Sequence, residues 1–184
     1  MSKLSLVLTA VVVVAIGGFA FRSFADNSSN NPIPQAGQKA PEFTLPNQSG
    51  TPVNLDHYRG KWVVLYFYPK DMSPGCTIEA HNFEQDLSRY KAANAVILGV
   101  SVDTVASHKQ FCAKDSLTFT LLSDSEKKVT KEYGSLGNYM GFKIANRNTF
   151  LIDPEGKIVK VWTKVDPAHH SQEVLAELHG LEKH

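Results

Sequence analysis

The sequence predicts an α/β protein with a mixed central sheet flanked by helices. Two long apolar runs, at 62–68 and 95–101, are typical of strands that are buried on both faces. Each run is followed by a segment whose apolar residues have helical spacing. A predicted hairpin and a final helix then close the chain. This alternation of strands and helices is the pattern of a layered α/β domain.

The predicted elements begin with a short hairpin at 43–55, in which the turn-forming residues 46–50 separate two apolar stretches. Apolar runs predict further strands, and apolar spacing with N-capping residues and terminal glycines predicts the helices. The remaining strands are 119–122, 149–153 and 158–162; the helices are 76–91, 103 or 104 to 114, 123 or 125 to 133, and 166–180. Residues 134–148 show no clear period, and a loop this long inside a compact domain is usually functional.

The N-terminal residues indicate export. Lys3 precedes an apolar run at 4–21, and small residues at 23 and 25 fit a signal-peptidase site after Ala25. A retained anchor is an open alternative, because the run approaches the roughly 20 residues that span a bilayer. The predicted organisation is a signal peptide or membrane anchor at 1–25, a polar linker at 26–38 and a folded domain at 39–184. We expect the domain in the periplasm, either free or tethered through residues 4–21 to the outer face of the inner membrane.

The charge balance and the cysteine count limit the classes of partner that the sequence supports. The 184 residues include 19 basic and 18 acidic side chains, scattered along the chain, so nothing electrostatic favours a nucleic acid. By count alone, the two cysteines of an exported chain fit one structural disulfide. The residues around Cys76 indicate a different role. A thiol that must be reduced to react outside the cytoplasm needs an electron donor there.

Cys76 falls at a strand-to-helix turn. Pro74 and Gly75 mark the turn after the first long strand, and the cysteine lies in the first turn of the predicted helix. Free backbone N–H groups and the positive end of the helix dipole favour a thiolate there, which is the nucleophilic form of sulfur. A lone cysteine at a helix start is more often a small buried hydrophobe. The pattern of residues around Cys76 therefore has to distinguish a reactive thiolate from a buried hydrophobic residue.

That pattern resembles a known family. Pro69, Ser73, Cys76 and Glu79 match the peroxiredoxin pattern Pro-x-x-x-Thr/Ser-x-x-Cys-x-x-Glu, and the flanking residues together with the later block 147–158 look like the Q type, the bacterioferritin comigratory proteins. The resemblance extends from about residue 37 to the C-terminus. It implies a thioredoxin-like fold and a thiol-dependent peroxidase for hydrogen peroxide and organic hydroperoxides. It also implies recycling by a thioredoxin-like reductant, with neither cofactor nor metal.

The resemblance further implies a role for each motif residue. Cys76 is the peroxidatic thiolate, Ser73 presents its hydroxyl to sulfur and peroxide, and Arg147 stabilises the thiolate and donates to the peroxide. Pro69 shields the thiolate from water, and Glu79 orients the arginine. Structural readings are open beside these: a turn-forming serine, a solvated arginine, a strand-end proline and a glutamate favoured by the helix dipole.

Cys112 marks a departure from the commonest Q-type pattern. Many members carry a resolving cysteine five residues after the reactive one, where this chain has His81. Cys112 lies 36 residues after Cys76 (112 minus 76) in a predicted helix. One branch of the family resolves from that helix, so the resemblance implies a Cys76–Cys112 disulfide. The alternative is a packed cysteine in a one-cysteine enzyme.

Two other functions fit parts of the sequence. A thioredoxin-like metal carrier would use Cys76, His81, His108 and Cys112, but the spacing from Cys76 to His81 is unusual for metal ligands and no Cys-x-x-Cys is present. A thiol–disulfide reductase normally needs two cysteines within one helical turn. We therefore expect a peroxidase. We expect it to be a monomer, since nothing in the sequence requires an obligate oligomer.

Overall fold

The computed structural model of the protein describes residues 31–181. Its strands are β1 (Thr44–Pro46), β2 (Pro52–Asn54), β3 (Trp62–Phe67), β4 (Ala95–Ser101), β5 (Thr120–Ser123), β6 (Leu136–Tyr139), β7 (Phe142–Ala145), β8 (Asn148–Ile152) and β9 (Ile158–Thr163). Its helices are α1 (Pro74–Gln85), α2 (Leu87–Ala92), α3 (Val105–Asp115), α4 (Lys128–Glu132) and α5 (His170–Leu181), with a 3₁₀ helix at Leu55–Tyr58.

A five-stranded sheet in the order β5-β4-β3-β8-β9 forms the centre of the fold. The first three of these strands are parallel, whereas β8 runs antiparallel to β3 and β9 antiparallel to β8. The predicted α/β architecture with a mixed sheet is therefore confirmed. Because β8 pairs with β3 with Asn148 opposite Phe67, Arg147 lies where β3 ends.

Strand β3 is buried on both faces, which explains its unbroken apolar sequence. Val64, Tyr66 and the following Tyr68 belong to a core cluster with residues of α1, α2, α3 and α5. The alternate residues, from Val63 to Phe67, belong to a second cluster with residues of β1 and α4. The end of β3 is thus fixed from both sides. This rigid strand end leads directly into the turn that carries Cys76.

Two predicted boundaries differ because side chains compete with the helical backbone. The helix predicted at 76–91 is two helices, interrupted at Asp86, whose carboxylate accepts hydrogen bonds from Arg89 and Ser171. The last helix begins at His170 instead of residue 166. Its predicted first turn is a separate turn, because the Asn82 amide donates to the carbonyl groups of residues 167 and 168 at 3.1 and 2.9 Å.

The stretch 134–148, predicted as a loop, contains the hairpin β6–β7. Its two-residue turn is Met140-Gly141, and both residues have positive φ angles, 50° and 89°. Such a turn matches the twist of paired strands, but its usual sequence signal is Asn-Gly or Asp-Gly. With methionine at the first turn position, the sequence does not predict the hairpin.

The described part of the predicted linker lies against the domain. Ile33 packs on the second core cluster, and the Gly37 N–H donates to the Ile158 carbonyl at 2.8 Å. The predicted signal or anchor segment at 1–25, the linker residues 26–30 and residues 182–184 lie outside the described residues. Within residues 31–181, no helix is long and apolar enough to cross a membrane.

Gly99 provides a test of this packing. A Cβ atom at Gly99 would lie 2.8 Å from both the buried Tyr66 ring and Leu121, so we expect Gly99→Ala to destabilise the protein by about 1–3 kcal/mol through overpacking. Gly180→Ala is the matched control, because a Cβ there meets nothing within 4 Å and alanine is the better helix former. Chemical denaturation measures both, and equal stabilities of the two variants would contradict the packing argument.

Candidate active site

Cys76 is held inside the first turn of α1. Ser73 is the extended N-cap residue, with φ −75° and ψ 149°, and Pro74 begins the helix. Proline suits this position because its missing N–H would have no helical partner and its fixed φ is already helical. The cysteine side chain is only 1% exposed and belongs to the first core cluster. Both cysteines of the chain are free thiols.

Two polar groups converge on the Cys76 sulfur. Arg147 Nη2 lies 3.0 Å from Sγ, and Ser73 Oγ lies 2.9 Å from it. The serine hydroxyl is also 3.0 Å from the Lys70 carbonyl, but its single proton can serve only one acceptor at a time. An ionised sulfur attracts that proton more strongly than a neutral carbonyl does. One full positive charge and one hydroxyl donor therefore contact the Cys76 sulfur directly.

Glu79 holds the arginine in place. Its Oε2 accepts a hydrogen bond from Arg147 Nη1 at 2.5 Å, and the carboxylate is 1% exposed against 17% for the guanidinium. Burial raises the pKa of Glu79 to about 7, although the charge and hydrogen bond of Arg147 oppose the shift. Since Nη1 is tied to Glu79 and Nη2 points at sulfur, the guanidinium plane is fixed by both contacts.

Gly75 is a site residue whose role the sequence reading missed. It entered that reading only as a turn marker. A Cβ atom at this position would lie 3.0 Å from Arg147 Nη2 and 3.7 Å from a Pro167 ring carbon. The absent side chain therefore leaves the space that the guanidinium occupies. A glycine inside a first helical turn, where it weakens the helix, is the signal that would have suggested a close approach.

Pro69 lines a cavity beside the arginine. The cavity has a volume of about 280 Å³, and its walls include Pro69, Arg147 and Ile144. The β6–β7 hairpin contributes most of the lining and carries exposed apolar side chains at its tip: Tyr139 at 71%, Met140 at 91% and Phe142 at 72%. The approach to Arg147 is therefore bordered by an apolar surface.

Cys112 lies on α3 and packs, partly buried, against the same core cluster as Cys76. Burial raises its pKa to about 11, and the negative charges of Asp71 and Glu84 add to the shift. The pKa of the fully buried Tyr66 is raised well above its ordinary value, first by burial and then by surrounding groups that include both cysteines. Both thiols therefore belong to the charge environment of Tyr66, and Cys76 also contacts the Arg147 guanidinium.

The two histidines considered as metal ligands contact carboxylates instead. His81 Nε2 lies 3.1 Å from Asp115, and His108 Nδ1 lies 2.8 Å from Asp71. Across residues 31–181, no group of three or more histidine, cysteine, aspartate or glutamate side chains is arranged to hold a metal ion. The geometry around Cys76 suits nucleophilic chemistry at sulfur, with donors aimed at the charge that develops.

Comparison with known sequences agrees with this geometry. Residues 36–161 match the model of the AhpC/TSA family. Peroxiredoxin Bcp of Bacillus subtilis is 42% identical over 156 residues, covering 80% of this chain and 96% of the relative. Peroxiredoxin Bcp of Escherichia coli is 40% identical over 149 residues, covering 79% of this chain and 95% of the relative.

Solved structures give the same answer for the fold. A cysteine-to-serine mutant of Xylella fastidiosa PrxQ superposes with a TM-score of 0.78 at 34% identity, covering 83% of this chain and 99% of that one. Peroxiredoxin Q of Xanthomonas campestris gives a TM-score of 0.74 at 38% identity, covering 79% and 97%. The predicted thioredoxin-like fold is thereby confirmed. The chain belongs to the AhpC/TSA family and, within it, to the peroxiredoxin Q or Bcp proteins, which are cysteine-dependent peroxidases.

Proposed function

We propose that this protein reduces hydrogen peroxide and organic hydroperoxides through a Cys76 sulfenic acid and a Cys76–Cys112 disulfide, which a thioredoxin-like reductant returns to the dithiol. The observation that carries the proposal is the convergence of Arg147 Nη2 and Ser73 Oγ on the Cys76 sulfur, at 3.0 and 2.9 Å. Cys76 thus combines burial with a cation and a hydroxyl group in direct contact with its sulfur.

In the first step the Cys76 thiolate attacks one peroxide oxygen. The O–O bond breaks, the sulfur keeps that oxygen as a sulfenic acid, and the other oxygen leaves as an alcohol or water after taking a proton. Negative charge moves from sulfur to the departing oxygen during this step. Arg147 and Ser73 already contact the sulfur, so their N–H and O–H groups can follow the charge without reorganisation, which is the main source of electrostatic catalysis.

In the second step the Cys112 thiol attacks the sulfenic sulfur, and water leaves. A disulfide needs Cα atoms within roughly 7 Å, whereas Cys76 is engaged by Ser73 and Arg147 and Cys112 lies on a separate helix. In the proposed cycle, this step proceeds through local opening of α1, α3 or both, and such opening costs far less than global unfolding. In Xanthomonas campestris peroxiredoxin Q, two cysteines at the same spacing have each been replaced by serine in solved structures, which supports the pairing.

The cavity beside Arg147 supports organic hydroperoxides as substrates. Its lining includes the apolar side chains of Pro69, Tyr139 and Ile144, and apolar contacts would favour peroxides that carry a hydrocarbon group. A ligand complex of the Xanthomonas campestris bacterioferritin comigratory protein is described in connection with alkyl peroxide reduction. Hydrogen peroxide needs only the polar groups around the sulfur.

A one-cysteine mechanism is the second candidate. The observation that favours it is Cys112, whose pKa is raised to about 11 by burial and by nearby carboxylates. A thiol with so high a pKa is almost entirely protonated at neutral pH and is a weak nucleophile until its surroundings change. In this case the external reductant would attack the Cys76 sulfenic acid directly.

We also propose that a single chain is the working unit and that it acts outside the cytoplasm. Ser73 and Arg147, which contact the Cys76 sulfur, both belong to the chain that carries this cysteine, which supports an active site built within one chain. The apolar run at 4–21 after Lys3 supports export, followed by release into the periplasm or retention as a membrane tether.

Paired cysteine variants test the catalytic cycle. Cys76→Ser should abolish peroxide consumption with the fold intact, because a serine hydroxyl is not ionised at neutral pH. Cys112→Ser should still consume one equivalent of peroxide but lose turnover with a thioredoxin-like reductant. Peroxide assays and intact mass spectrometry read both outcomes. Peroxide reduction by Cys76→Ser at the wild-type rate would contradict the assignment, and full turnover by Cys112→Ser would establish the one-cysteine mechanism.

Arg147→Lys tests the arginine. Lysine keeps the charge but loses the planar fork that joins Glu79 to the sulfur, so we expect Cys76 oxidation to slow by about tenfold or more, a loss of at least ~1.4 kcal/mol of transition-state stabilisation. Arg89→Lys is the matched control, since the Arg89 side chain is 52% exposed and forms an ion pair with Asp86 at a distance from the Cys76 sulfur contacts. Stopped-flow measurement of Cys76 oxidation compares the two variants. Equal oxidation rates would show that Arg147 has no catalytic role.

A fusion experiment tests export. A reporter attached after His184 should be active only outside the cytoplasm, and the same fusion without residues 1–25 should be inactive there. N-terminal sequencing of the recovered protein distinguishes cleavage after Ala25 from a retained anchor. Recovery from the cytoplasm with Met1 intact and no membrane association would contradict both forms of the proposal.

A further inference from the structure

Asp71 is a buried carboxylate with no part in the mechanism described above. It is 4% exposed, and its two oxygens accept three hydrogen bonds. Tyr68 donates from β3's end at 2.7 Å, Ser107 donates from α3 at 2.6 Å, and His108 of α3 lies at 2.8 Å. Burial alone would raise the pKa of Asp71, but hydrogen bonds from His108, Ser107 and Tyr68 outweigh it and hold the pKa below its ordinary value. The carboxylate is therefore charged and fully engaged.

His108 completes this arrangement. Its side chain is fully buried, its Nδ1 faces Asp71, and its Nε2 has no hydrogen-bond partner. Because Asp71 is an acceptor, we assign His108 Nδ1–H as the donor to it. The pair is thus a directed hydrogen bond from a helix to a loop.

The two residues join the two cysteine-bearing segments. Asp71 lies two residues before Ser73, which contacts the Cys76 sulfur. His108 lies one helical turn before Cys112 on α3. A second link reinforces the first, since the Asp71 N–H donates to Asp103, just before α3, at 2.9 Å. Unwinding of α3 therefore requires that Asp71 release its α3 donors.

We propose that Asp71 and His108 form a latch that holds α3 folded and thereby sets how fast Cys112 reaches the Cys76 sulfenic acid. This proposal rests on the Cys76–Cys112 disulfide of the proposed function and adds two positioning residues to it. Two reactions compete for the sulfenic acid. Cys112 attack forms the S–S bond and releases water, whereas a second peroxide transfers one oxygen to sulfur, giving a sulfinic acid and an alcohol or water. Because the latch delays Cys112, the Cys76 sulfenic acid is available to a second peroxide for longer.

Two variants open the latch in different ways. Asp71→Asn replaces one acceptor oxygen with an NH₂ group that faces the Ser107 and His108 donors, and His108→Leu removes the ring donor with a side chain suited to a buried site. His108→Asn is the conservative counterpart, because its amide can still donate to Asp71. Asp124→Asn is the matched control: Asp124 is also a buried carboxylate, 1% exposed, and accepts from Thr130 N–H at the start of α4.

The experiment follows intact mass after rapid mixing of each reduced full-length variant with peroxide. Conversion of sulfenic acid to disulfide should be about tenfold faster or more in Asp71→Asn and His108→Leu, with a smaller sulfinic fraction in excess peroxide. The rate of disulfide formation in His108→Asn should be closer to the wild-type rate. Asp124→Asn should form the disulfide at the wild-type rate. Hydrogen exchange of the reduced proteins should show lost protection at 105–115 in the first two variants only.

The outcomes separate this proposal from the proposed function. If wild type forms the disulfide and both latch variants form it at the wild-type rate, the latch is refuted while the peroxidase cycle stands. Equal acceleration in Asp124→Asn would also refute it, because general destabilisation would then explain the effect. If wild type forms no Cys76–Cys112 disulfide, the resolving step of the proposed function fails and the latch proposal fails with it.

Discussion

A negatively charged sulfur inside a protein is stable only beside a fixed positive charge, and Arg147 supplies that charge to Cys76. The side chain of Cys76 is 1% exposed, so water does little to solvate a thiolate there. The guanidinium must therefore be close and immobile. Its 3.0 Å contact with sulfur depends on Glu79, which binds the other nitrogen, and on Gly75, which leaves the space for it.

The central sheet makes this contact between residues that are 71 positions apart. Strand β8 is antiparallel to β3, with Asn148 opposite Phe67, so Arg147 reaches the strand end from which the Cys76 turn departs. Both faces of β3 are packed, which keeps that strand end from shifting. Rigidity at this point serves the peroxide step, because preorganised donors do not have to move during the reaction.

The resolving step of the proposed cycle makes the opposite demand, since Cys112 would have to leave a folded helix. Its thiol is partly buried, and burial raises its pKa to about 11, which keeps it protonated at neutral pH while α3 stays in place. Asp71 links the loop before Cys76 to α3 through Ser107 and His108. In the proposed latch, this buried carboxylate couples the segment before the first cysteine to the helix that carries the second.

Sequence reasoning succeeded where the cause is local or periodic. The apolar runs predicted β3 and β4, and the Pro74-Gly75 turn predicted Cys76 in a first helical turn. It failed where a distant side chain intervenes. The Asn82 amide binds the carbonyl groups of 167 and 168, so α5 begins only at His170. The β6–β7 hairpin was not predicted, because its Met140-Gly141 turn lacks the usual sequence signal.

By itself, the sequence determined the fold class and the family, because the apolar runs and the motif residues that carry the resemblance are local features of the chain. The order of strands decided the rest. Only the tertiary structure brings Arg147 to within 3.0 Å of the sulfur and ties it to Glu79. Only the structure, likewise, places Asp71 against His108. Contacts between segments this far apart depend on sheet register and burial, which no local pattern of residues records.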